Sequence, residues 1–201
     1  MQAASPALVI ADTPYLAIEA GSRAQIPTIA LANFTWDLVL KEYCHASDFS
    51  RQQLIQSIRE SYAKADMALR ITPAPKIDAF SNMIDIGPIA NPNSPERDRL
   101  ASALTLSPNE RTVLVGFGGI PLTSLPLEQM ELFHHYRFLI DGPIPRGYSR
   151  IHSIETLPFS FKTLLASVDV IMTKPGYGTI VEAVALQQPV VYVRRYNFAD
   201  E

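Results

Sequence analysis

The chain alternates short apolar runs with turn-forming residues and stretches of helical spacing. Ala7-Leu8-Val9-Ile10-Ala11 is continuously apolar, as in a strand buried on both faces. Asp12-Thr13-Pro14 follows, with Thr13 suited to cap a helix and Pro14 to open it. The pattern then predicts a helix over Tyr15 to Arg23 and a strand over Pro27 to Ala32. Phe49, Leu54, Ile55, Ile58 and Tyr62 recur at helical spacing and predict a helix from Asp48 to Ala65. Met67 to Ile71 and Met83 to Ile86 read as short strands.

Gly87 to Pro95 reads GPIANPNSP, dense in turn formers and without periodicity. It is read as a linker over residues 88–95, dividing a first domain (residues 1–87) from a second (residues 96–201). Beyond it the same grammar restarts. Helices are predicted over Pro95 to Leu104, Leu125 to Tyr136, Phe161 to Ala166 and Tyr177 to Leu186. Strands are predicted over Thr112 to Val115, Arg137 to Asp141, Val168 to Thr173 and Pro189 to Val193. Strand and helix in alternation predict an α/β fold, two Rossmann-like domains each built on a parallel sheet.

Composition narrows the classes. The 17 Lys and Arg against 20 Asp and Glu give a formal charge of −3, with no basic run, which argues against a nucleic-acid partner. A single cysteine, Cys44, excludes an internal disulfide and a multi-cysteine zinc site. No apolar run approaches the ~18 residues of a transmembrane helix, and the first residues lack a basic stretch followed by a long apolar one. A cytoplasmic protein is therefore expected. The 16 prolines are scattered, as punctuation between short elements.

The sharpest local motif is Thr173-Lys174-Pro175-Gly176-Tyr177-Gly178-Thr179, between an apolar strand and a helix expected to begin near Thr179. Glycines allow a tight turn and close approach of a ligand, and a helix start offers unpaired N–H groups to a phosphate. Thr179 could cap the helix or bind a phosphate oxygen, and Glu182 stands three residues on, at capping-box spacing. A ligand-free turn is the alternative. Neither the P-loop nor the dinucleotide G-x-G-x-x-G pattern is present. Gly116-Phe117-Gly118-Gly119 ends another strand on the same expected edge, with a plain turn before Pro121 as its alternative.

These residues carry a resemblance. The run from Phe161 to Val193 resembles the donor-binding segment of two-domain (GT-B) nucleotide-sugar glycosyltransferases. The matching positions are Gly176, Gly178, Thr179, Glu182, Ala183 and Pro189, and Gly118 and Gly119 resemble the first glycine loop of that domain. A nearer similarity is to the glycosyltransferase-like region of L-arabinokinases and its stand-alone bacterial homologues. It rests on Asp12, Asn33-Phe34-Thr35-Trp36-Asp37, Lys174 to Thr179, and Arg194-Arg195-Tyr196-Asn197-Phe198. The resemblance implies a nucleotide-sugar donor of the UDP type, held by Gly176, Gly178 and Thr179 at the diphosphate and by Glu182 at the ribose, with Lys174 and Tyr177 also in the donor site. It implies no separate cofactor and no metal. It also implies that both domains are incomplete here, the first an acceptor-side domain without its opening strands. Self-association is expected on that account.

Other candidates have bland alternatives. Asn33, Trp36 and Asp37 either line a cleft or form a helix start with Thr35 as cap and Trp36 in the core; Asp12 is either a crevice residue or a cap. Arg194 and Arg195 either bind phosphate or lie solvated, and Arg146 and Arg150 are read as a solvated loop. His134 and His135 are placed on a helix and, being adjacent, do not share a face for one metal. His45 and His152 lack ligand-spaced partners. Two functions remain open: an enzyme transferring a hexosyl-type sugar to an unknown acceptor, with an epimerase on the same fold as its variant, and a non-catalytic nucleotide or sugar-phosphate binding module.

Overall fold

The computed structural model describes residues 6–43, 49–117 and 125–193. The chain divides into two compact units between Ile89 and Ala90. Each is built on a wholly parallel sheet, so the expected α/β class with two Rossmann-like sheets is what forms.

The first unit runs Val9–Asp12 (β1), Tyr15–Arg23 (α1), Thr28–Ala32 (β2), Trp36–Glu42 (α2), Phe49–Tyr62 (α3), Met67–Ile71 (β3) and Met83–Ile86 (β4). Its strands lie in the order β1-β2-β3-β4. Successive right-handed crossovers that always step the same way leave their helices on one face of the sheet. On that face Ala11, Ala30 and Ala68 meet Ile18, Ile58 and Tyr62. The small strand residues let the helices sit close. Gly21 of α1 rests on β2 so tightly that a Cβ there would lie 2.3 Å from Thr28 Oγ1.

The opposite face is apolar as well. Register aligns Ile10 with Ile29, Ile29 with Met67, Leu31 with Leu69 and Leu69 with Ile84. Ile10 is 66 % exposed and Ile84 48 %. A contiguous open apolar face drives association. The 201-residue chain is therefore expected to self-associate in a concentration-dependent way, read by sedimentation velocity. Replacing Ile10 and Ile84 by Lys should shift it towards monomer, and a parent chain that stays monomeric throughout would contradict this.

Thr13 does not cap α1. It takes φ 63°, its hydroxyl donates to the Asp12 carbonyl, and Pro14 occupies the cap position without a side-chain bond. The residue before a proline is disfavoured in the right-handed helical region, and here it turns left-handed instead.

The second unit comprises Arg97–Leu104 (α4), Arg111–Gly116 (β5), Leu127–Glu131 (α5), Tyr136–Ile140 (β6), Ile151–Ser153 (β7), a 3-10 turn at Ile154–Thr156, Phe161–Ser167 (α6), Val170–Thr173 (β8), Tyr177–Ala185 (α7) and Val190–Tyr192 (β9). The strand order is β7-β6-β5-β8-β9. Leu100, Leu114, Leu139, Leu164, Ile171 and Ala183 pack on one face. Val113, Val115, Phe138, Ile140 and Ile151 pack on the other with Met130 of α5. Asn93 donates to Thr163 Oγ1 at 3.1 Å and the Glu96 N–H to Ser167 Oγ at 2.8 Å, so much of the expected linker is tied to α6.

Helix α5 is far shorter than the predicted 125–136. The chain turns after Glu131 so that Phe133 meets Tyr136 and Phe138 edge-on, a tertiary contact that outweighs local propensity. His134 and His135 therefore precede β6 rather than sit on a helix. Arg150 lies in the loop before β7, as expected, but it is paired rather than solvated: it meets Glu110 at 2.9 Å, which Arg137 holds at 2.8 Å. With Arg137 as the main cause, the Glu110 carboxyl falls to about 2 from its ordinary 4.5. A carboxylate depressed in this way stabilises the fold above about pH 4.5 and loses that contribution as pH falls towards 2. Melting should thus be acid-sensitive across that window. Glu110→Gln should flatten the profile, and an unchanged profile would assign the acid sensitivity to other groups.

Candidate functional site

The strand order of the second unit fixes where a ligand can enter. From β5 the chain steps outward to β6 and β7, then returns to β8 on the other side of β5. β5 and β8 therefore flank the topological switch point, beyond whose carboxyl ends open α/β sheets bind ligands. Gly116 pairs in register with Thr173, so the end of β5 and the start of the Lys174 turn lie side by side.

At that edge the Gly176 N–H donates to the Lys174 carbonyl at 2.7 Å, closing a three-residue turn around Pro175. Gly176 then takes the cap position of α7 with φ −95° and ψ 130°, and no side chain caps the helix. The first intrahelical bond is Ile180 N–H to Gly176 carbonyl at 3.1 Å. The N–H groups of Gly178 and Thr179 precede it, at the positive end of the helix dipole.

Neither Gly176 nor Gly178 has a positive φ. A Cβ at Gly178 would meet nothing within 4 Å, and one at Gly176 only Lys174 Cε at 3.8 Å. Backbone conformation and packing therefore do not require glycine at either position. What the two glycines leave is clear space over the turn, as a group approaching the backbone needs. Lys174 is half-buried and has no acidic partner among the described residues. Tyr177 is the first helical residue and half-buried.

The helix starts earlier than expected. Because Gly176 accepts the cap position and Tyr177 and Gly178 are already helical, Thr179 is the third helical residue and Glu182 the sixth. The capping box is therefore absent. Glu182 instead pairs with Lys162 of α6, Oε1 to Nζ at 2.6 Å, and its side chain is 13 % exposed. Gly118, Gly119, Cys44, His45, Arg194 and Arg195 lie outside the described residues.

In the first unit the candidates separate. Asp12 ends β1 exposed, on the carboxyl edge of its sheet. Asp37 is 2 % exposed and receives Arg59 at 2.7 Å, tying α2 to α3. It therefore points inward and does not line a cleft. Thr35 occupies the cap position of α2, yet its hydroxyl makes no cap bond and is buried without a partner. Trp36 is 41 % exposed, against the expectation of a core residue, and meets Phe34 edge-on at 5.5 Å. Among the described residues no group of three or more His, Cys, Asp or Glu is placed to hold a metal, and no helix is long and apolar enough to cross a membrane.

Sequence reasoning found the β8–α7 turn from its glycines but missed Lys162, which pairs across 20 residues and two helices. Its one signal was a position in the first turn of the helix that begins after Ser160.

No family model matches the chain. L-arabinokinase from Arabidopsis thaliana is 25 % identical over 198 residues, which cover 96 % of this chain and 19 % of that protein. A UDP-glucosyltransferase from Polygonum tinctorium capable of glucosylating indoxyl superposes with a TM-score of 0.63 at 16 % identity, covering 97 % of this chain and 58 % of the other. Phytolacca americana UGT2, complexed with UDP-2fluoro-glucose and pterostilbene, gives 0.61 at 15 % identity, covering 96 % and 57 %. The chain thus spans about a fifth of the curated relative it matches and under three-fifths of these solved structures. Over that span it has the parallel-sheet fold of GT-B UDP-glycosyltransferases and resembles a stretch of L-arabinokinase.

Proposed function

We propose that the second unit binds a UDP-type nucleotide-sugar at the β8–α7 turn and serves a glycosyl transfer of the hexosyl type. The observation that carries this reading is the uncapped start of α7 at the switch point, with open space above Gly176 and Gly178. The diphosphate would lie against the N–H groups of Gly178 and Thr179, with the Lys174 ammonium, which has no acidic partner among the described residues, as its counter-charge. Tyr177 flanks that seat. The Glu182 carboxylate would accept from the ribose hydroxyls. When the sugar leaves, negative charge grows on the diphosphate, and fixed N–H dipoles stabilise that charge without reorganising. Gly118 and Gly119, outside the described residues, belong to this donor site by resemblance alone. The likeness to UDP-glycosyltransferases supports the same donor class.

A second reading has its own support. The relative matched in sequence bears the name of a sugar kinase, and on that ground the unit would bind a nucleotide or sugar phosphate without transferring it. Isothermal titration of the full chain with UDP, GDP and ADP tests the shared core of both readings. UDP should bind in preference to the other two, and no heat with any of them would overturn the transferase reading and the nucleotide form of the module. Release of free sugar or UDP from a UDP-sugar would then favour the transferase, and binding without turnover the module.

A further inference from the structure

Lys162 stands beside the proposed nucleotide site without belonging to its motif. It lies in the first turn of α6, one residue after Phe161. That turn can lie close to the end of β5 because position 116 is glycine: a Cβ there would lie 2.7 Å from the Phe161 ring. From this seat the Lys162 ammonium forms an ion pair with Glu182 Oε1 at 2.6 Å and donates to the Asn91 carbonyl at 3.2 Å. It is therefore anchored on two sides. Glu182 Oε2 has no hydrogen-bond partner among the described residues.

We propose that Lys162 is a positioning residue for ribose recognition: it fixes one oxygen of Glu182 so that the other faces the nucleotide's hydroxyls. The inference rests on the reading of the β8–α7 turn as a nucleotide site. A carboxylate on a three-bond side chain loses rotamer freedom when it binds a hydroxyl, and an anchor that removes this freedom beforehand strengthens binding. Lys162 acts through Glu182, so its effect must depend on the ribose hydroxyl and not on the diphosphate. A tie that merely joined α6 to α7 would change stability without changing selectivity.

The test compares UDP with 2′-deoxy-UDP by titration calorimetry on the full chain, for the parent, Lys162→Met, Lys162→Gln and Lys162→Arg. The parent should prefer UDP by about tenfold, the span of one charge-assisted hydrogen bond. Met and Gln should reduce that preference to about twofold or less and leave 2′-deoxy-UDP affinity nearly unchanged, while Arg keeps the preference. Thermal melts identify any variant that fails to fold, and the remaining ones decide. A parent that prefers UDP together with Met and Gln variants that still prefer it would overturn the Lys162 assignment alone. Equal binding of the two nucleotides by the parent would overturn the ribose role of Glu182 and Lys162 with it. A parent that binds neither would overturn the nucleotide site itself.

Discussion

Gly178→Leu is expected to abolish UDP binding, lowering affinity at least about a hundredfold, while the melting temperature holds or rises. The two effects have different origins. A Cβ at Gly178 meets nothing within 4 Å and the backbone there is helical, so a side chain costs the fold nothing. Glycine in a helix is disfavoured by up to ~1 kcal/mol against a good helix former, so leucine adds a little stability. The same side chain fills the space over the turn and shields the Gly178 and Thr179 N–H groups. Losing two bonds to a charged group, each contributing about 1.5–3 kcal/mol, accounts for the hundredfold or more. Gly178→Ala should give an intermediate loss. Calorimetric titration and a thermal melt on the same samples decide the matter, and full UDP affinity in the leucine variant would place the diphosphate elsewhere.

Tyr62→Ala should remove about 3–5 kcal/mol from the first unit, a fall of more than roughly 10 °C in its melting temperature. Tyr62 is fully buried, meets Tyr15 edge-on and Phe80 at a tilt, and joins three segments through its hydroxyl. That hydroxyl donates to the Thr13 carbonyl at 2.7 Å and accepts from the Trp36 N–H at 3.2 Å. Tyr62→Phe keeps the ring and strands both backbone groups, which should cost about 1–3 kcal/mol. Burial raises the phenol to about 12 from its ordinary 10. The unfolded chain thus ionises first, and stability should fall as pH rises from about 10 towards 12, except in the phenylalanine variant. Equal melting of the parent and Tyr62→Phe would show that the bridge contributes nothing.

Long, strongly patterned elements were legible in the sequence. Helix α1 and strands β3 and β4 fall where the pattern puts them, bounded by turn formers such as Thr13-Pro14 before α1, Thr72-Pro73 after β3 and Gly87-Pro88 after β4. Helix ends were less legible. Capping depends on backbone angles that propensity does not report, as Thr13 at φ 63° and Gly176 as cap both show. Strand β7, three residues long, carries too short a pattern to stand out. Within the candidate site, the glycine turn announced itself, while the Lys162 pairing arises from two helices brought together only in the folded chain. A second device was hidden for the same reason. Asp66 receives the Thr28 N–H at 2.7 Å, and Asp169 receives the Thr112 N–H at 2.8 Å. In both sheets an aspartate ahead of one strand clamps a threonine near the start of its neighbour and so sets the register.

The order in which the second unit assembles follows from where β5 finds its partners. Its pairing with β6 joins Val113 to Phe138, whereas its pairing with β8 joins Val113 to Val170. The longer closure carries an extra entropic cost of roughly 0.7 kcal/mol and waits for more of the chain to emerge from the ribosome. The β5-α5-β6 segment should therefore condense first and leave the β8 side of β5 unpaired. The Asp169–Thr112 clamp, whose two residues lie 57 apart, forms only when that gap closes. The proposed nucleotide seat, which needs the ends of β5 and β8 side by side, is thus among the last features of the unit to exist, and a nascent chain acquires it late.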